Sequence, residues 1–126
     1  MSFDIAMVGT QIGTTMLASL KSDSGKVKAM ALAEGDKLAL ALAKVADLLA
    51  QRQIDGEDAA LLVRVQKDAS EVVLASLAEI SRVAASRAVL LGLQGVAGVV
   101  DTASGVPILG PLFVAATALA SAPATT

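Results

Sequence analysis

From Glu57 to Val100 apolar residues return every three or four positions, yet the stretch changes character partway along. Arg64, Lys67, Asp68, Glu71, Glu79, Arg82 and Arg87 punctuate its first part, whereas Ala88 to Val100 carries no charge. Read as one helix at 1.5 Å per residue, 57–100 would extend roughly 65 Å. Its lower part would be wetted and its upper part apolar, so the sequence predicts a two-zone rod.

The clearest turn precedes that stretch, at Ile54-Asp55-Gly56-Glu57-Asp58. Gly56 supplies a permissive backbone, Asp55 can cap the following helix, and Glu57 and Asp58 place negative charge where the helix dipole favours it. Upstream, a helix over Lys26 to Gln53 carries a seam of Val27, Ala31, Leu38, Leu42, Val45 and Leu49, with alanines that let a neighbour approach. Gly35, between Glu34 and Asp36, weakens that helix by about 1 kcal/mol relative to Ala. Downstream, Leu62, Val65, Ala69, Val72, Ser76, Ile80 and Val83 form a matching seam. The i,i+4 pairs Arg64 with Asp68 and Lys67 with Glu71 mark a solvated face. So short a connection forces an antiparallel, coiled-coil-like helical hairpin, with arms at 24–53 and 57–100.

Two further segments flank the hairpin. Met1 to Leu20 places Phe3, Met7, Val8, Ile12, Met16 and Leu20 at helical spacing and reads as a short amphipathic helix. Asp4, Gly9 and Gly13 interrupt it in a way a secretory signal does not tolerate, which predicts synthesis in the cytoplasm without a cleaved leader. Its final location, on a membrane or within a particle, is open. Lys21 to Lys28 is a polar break in which Ser22, Asp23 or Ser24 caps the next helix. Gly25-Lys26 lacks the leading glycine of a phosphate loop and has Val27 where a metal-binding hydroxyl belongs, so it reads as an ordinary loop or helix cap. Asp101 to Pro107 ends the long helix, and 106–122 is an apolar tail interrupted by Gly110-Pro111. The expectation is one all-α domain over 1–126.

Bending the chain at Asp55 and Gly56 sends both uncharged zones to one pole. This apolar head contains only Asp4 and Asp101 as charges, and both read as helix caps or terminators rather than as a ring of carboxylates. Lys21, Lys26, Lys28, Arg82 and Arg87 form a basic collar beneath it, the pattern an anionic bilayer attracts at about 1 kcal/mol per basic residue. Small residues line one face of the long helix at Ala84, Ala88, Gly92 and Gly95, and Gly9 and Gly13 form a second small pair. These six are the candidate contacts between copies. Thr10, Thr14 and Gln94 either line a polar channel in an oligomer or serve as ordinary interhelical hydrogen-bonding groups.

Composition narrows the function. A chain of 126 residues permits one modest domain, and its 55% hydrophobic content is mostly Ala, Leu and Val, a helix-packing composition. Only 17% of residues are charged against about 25% in ordinary globules, so much apolar surface needs a cover. A formal charge of −2 argues against nucleic acid as a partner. With no Cys and no His, disulfides, thiolate chemistry, zinc sites and histidine catalysis are excluded. No Ser-x-x-Lys or Gly-x-Ser-x-Gly pattern occurs. The sequence therefore predicts no enzyme, no cofactor, no metal and no small-molecule substrate. It predicts a self-assembling helical subunit of a filament, tube or virion interior whose partner is a copy of itself. The rival is a pore-forming or translocator protein that meets an anionic lipid membrane, and a lipid-granule coat is the third class.

Overall fold

The computed structural model describes residues 3–77, 79–105 and 107–110. The fold is all-α, with α1 at Ile5–Leu20, α2 at Gly25–Ala50, α3 at Gly56–Ala75 and α4 at Arg82–Ser104, and there is no strand among the described residues. Short polar side chains start each helix by satisfying amides that lack an intrahelical acceptor. The Asp4 carboxylate accepts the Met7 N–H at 3.1 Å, the Ser24 hydroxyl accepts the Val27 N–H at 3.4 Å, and the Ser81 hydroxyl accepts the Ala84 N–H at 3.0 Å. Asp55 and Asp58 cap α3 reciprocally, at 2.8 and 3.2 Å. In the turn before α3 the left-handed residue is Arg52, with φ 57°, and not Gly56, which is the first residue of the helix.

The single long arm over 57–100 does not form. After Ala75 the chain tightens, as the Ser76 hydroxyl donates to the Val73 carbonyl at 2.6 Å and the Leu77 N–H donates to the Leu74 carbonyl at 3.2 Å. Ile80 is then drawn into the core, Ser81 caps a new helix, and the chain reverses. The Ser86 hydroxyl donates to Glu71 Oε1 at 3.1 Å, which places α4 antiparallel beside α3. Two side-by-side helices thus replace the rod.

Contacts run from α1 to α2 and α4, from α3 to the same two helices, and from α2 to α4 across the diagonal. With connections this short the result is an up-down-up-down four-helix bundle. The α1–α2 and α3–α4 turns share one end, and the α2–α3 turn and the end of α4 share the other. The predicted seam of α2 faces the core, with Val27, Ala31, Leu38, Leu42 and Val45 buried and Leu49 half-buried. The helix passes unbroken through Gly35, where α1 crosses at backbone contact: a Cβ on Gly35 would lie 2.7 Å from the Gly13 nitrogen and 2.7 Å from the Gly9 carbonyl oxygen. Glycine there lets two helices touch, which offsets its helix-propensity cost.

Because α4 folds back, its uncharged residues do not collect at a pole. Ala88, Val89, Gly92, Leu93, Val96 and Val100 are buried along the bundle, as are Val8, Ile12 and Met16 of α1. The apolar head is therefore absent among the described residues, its members having become core. At the end of α4, Gly105 takes a left-handed conformation (φ 78°), and Asp101 accepts amide protons from Ile108, Leu109 and Gly110 at 3.0, 2.9 and 3.2 Å. That grip holds Ile108 and Leu109 in the core. Asp4 and Asp101 are thus a helix cap and a terminating anchor. The rest of the expected tail, 111–122, lies outside the described residues.

Candidate functional site

The helix whose surface is most informative is α3. Its inward side consists of Ala59, Val63, Ser70, Glu71 and Leu74, with Lys67 nearly covered among them. The predicted seam points the other way: Leu62, Val65 and Val72 are 39%, 54% and 52% exposed, Ala69 and Ser76 are exposed, and Val83 on α4 is 69% exposed. Only Ile80 of that seam is buried. At 100° per residue, Leu61, Leu62, Val65, Ala69 and Val72 sweep an arc of roughly 100° on the side opposite Lys67, the width of stripe a surface helix ordinarily turns to its core.

Polar pairing explains how α3 presents this face outward. The Lys67 ammonium lies 2.6 Å from Glu71 Oε1 and 3.2 Å from Asp68 Oδ1, and the Ser86 hydroxyl completes the cluster from α4. The Lys67–Glu71 pair is consequently an internal ion pair rather than part of a solvated face. Arg64 and Asp68 remain exposed, and Asp68 pairs with Lys67 instead of with Arg64. A second covered acid, Glu34 on α2, bonds the exposed Lys37 ammonium at 3.1 Å. Among the described residues no buried side-chain nitrogen or oxygen lacks a partner. The polar residues inside α3 are therefore satisfied where they lie.

The small residues expected between copies are largely used within one chain. Gly9 and Gly13 pack on Asp36 and Leu32 of α2, and Gly92 packs on Ile12 and Met16 of α1. Ala88 is fully buried and Ala84 half-buried. Gly95 is exposed, with its carbonyl accepting the Gln11 side-chain amide at 3.0 Å. Small residues at helical spacing correctly mark close approach, but the approaching helix belongs to the same chain. Thr10 and Thr14 line a shallow hollow on the outer side of α1 with Gln11 and Thr15, while exposed Gln94 does not join them.

The basic collar is brought together, although without a head above it. Lys21, Lys26, Lys28, Arg82 and Arg87 are exposed at the end that carries the α1–α2 and α3–α4 turns, opposed there by Asp23 and Glu79. The opposite end carries Asp47, Asp55, Glu57, Asp58 and Asp101 against Lys44 and Arg52. The bundle is thus charged oppositely at its two ends.

Interior space is scarce. A void of about 10 Å³ bounded by Leu38, Leu42, Val45, Val63 and Leu93 is water-sized, far below the roughly 300–1,000 Å³ of small-molecule sites. Among the described residues no group of three or more acids is placed to hold a metal ion. By length and composition α4 is apolar enough to cross a membrane, and here it packs against the other three helices. No protein-family model matches this chain, and neither curated proteins nor solved structures give a match.

Proposed function

We propose that the protein is a non-enzymatic, self-associating helical subunit, a building block of a larger structural assembly such as a filament, tube or particle. The observation that carries this reading is the outward stripe of α3, an apolar face of core-like width turned to solvent while the helix keeps Lys67 and Glu71 inside. Contiguous apolar surface of this kind marks a place where another surface belongs. Sedimentation velocity of the purified protein without lipid or detergent tests it: species larger than a monomer are expected, and a monomer at all accessible concentrations rejects the reading.

A membrane-active function is the second reading, supported by the length and apolarity of α4 and by the basic end from which it starts. Flotation with anionic vesicles at low salt separates the two. Recovery of the protein with the vesicles favours the membrane, and protein left at the bottom of the gradient removes that alternative.

A further inference from the structure

We infer that the occupant of the α3 stripe is a second copy of this chain, packed face to face and antiparallel, so that α3 of one copy lies along α3 of the other in reverse direction. The inference rests on the self-association reading and adds its face, its orientation and its symmetry. The stripe from Leu61 to Val72 is about 17 Å long.

Charge sets the orientation. In a parallel pair the two basic ends meet, five exposed basic side chains against two acids on each copy, and the two acidic ends meet likewise. In an antiparallel pair each basic end lies beside the partner's acidic end. Like charges juxtaposed across an interface are costly and opposite ones steer encounter, so the end-to-end separation selects the antiparallel arrangement. Such a contact is isologous: each copy offers the same patch, and the patch is used up once two copies have joined. Anything larger must then be built from pairs through another surface.

The chain contains no cysteine, which permits a direct test. Leu61→Cys and Val72→Cys are made separately at exposed positions, mixed, and oxidised mildly, and the products are weighed by mass spectrometry. The antiparallel pair predicts mainly the mixed 61–72 disulfide, whereas a parallel pair gives the 61–61 and 72–72 products, which would overturn the inference. Disulfides demand Cα atoms within about 7 Å, so the readout is sensitive to orientation. In a companion measurement, Val65→Glu is expected to weaken association about tenfold or more, with the helical circular dichroism unchanged and the wild-type association itself weakened by added salt. Association that survives Val65→Glu intact overturns this inference while leaving self-association standing, and a wild-type protein that never associates overturns both.

Discussion

Helices α2 and α3 are neighbours with comparable apolar content, and they use it in opposite directions. The seam of α2 faces inward, so Leu38, Leu42 and Val45 meet Val63 and Leu93 around the core. The seam of α3 faces outward, and its inner side is held by the ion pair of Lys67 and Glu71 together with the Ser86 hydroxyl. A three-and-four apolar repeat therefore reports that a helix has a face to cover, but it does not say what covers it. In α2 the cover is this chain, and on the present reading the cover of α3 is another copy.

The comparison breaks first at a single leucine. Leu38→Ala removes a buried side chain of α2 and is expected to cost about 2–5 kcal/mol in urea denaturation, whereas Val65→Ala on the outer stripe of α3, measured in dilute protein, should stay within about 0.5 kcal/mol. Equal costs would place Val65 in the core and dissolve the contrast. Gly35→Ala comes next. Helix propensity alone would make it stabilising by about 1 kcal/mol, but the added methyl meets the α1 backbone, and a net loss of about 2–3 kcal/mol is expected. A gain in stability would mean that the two helices do not touch there.

The inner face of α3 offers a subtler probe. Glu71→Ala leaves the covered Lys67 ammonium with only the exposed Asp68 carboxylate, leaves the Ser86 hydroxyl without its acceptor, and is expected to cost about 2 kcal/mol. The double change Lys67→Met with Glu71→Leu should recover most of that loss, because two well-packed apolar chains replace an ion pair at little cost. Failure of the double change to recover stability, with the fold intact by circular dichroism, would show that the pair does more than satisfy itself. The smallest effect is expected at Gly98, where a Cβ meets nothing within 4 Å: Gly98→Ala should raise stability by about 0.5–1 kcal/mol, the reverse of Gly35→Ala. Thermal melts of the two variants side by side compare an open glycine with a crossing one.

The all-α class, a helix through most of 26–53 and the cap at Asp55 were legible in the sequence, with the cap before α2 narrowed only to Ser22, Asp23 or Ser24, because each depends on local chemistry: periodicity, a short side chain at a helix start, a run of turn residues. The reversal between α3 and α4 was not, since no Gly or Pro marks it and the apolar repeat runs straight through Ile80 and Val83. Ser76 and Ser81 were the available signals, one back-bonding at a helix end and the other capping the next start. Missing that turn displaced everything above it. The apolar head, the rod and the free small-residue faces all followed from one uninterrupted arm. The basic cluster survived because reversing α4 leaves its first turn near the α1–α2 connection, as the hairpin also required. The outward face of α3 lay in the sequence as a seam, and only the packing of Lys67, Glu71 and Ser86 reveals which way it points.

The crossing at Gly35 has a mechanical corollary. Among the described residues the one hydrogen bond from a side chain of α1 to another helix is Gln11 to the Gly95 carbonyl, so the first helix is held almost wholly by close fit. A fastening of that sort has few discrete links to snap: it slides or peels when the surfaces cease to match. A methyl group at the crossing is therefore the disturbance the N-terminal helix tolerates least, and in a Gly35→Ala variant its amides should surrender their protons to solvent sooner than in the parent protein.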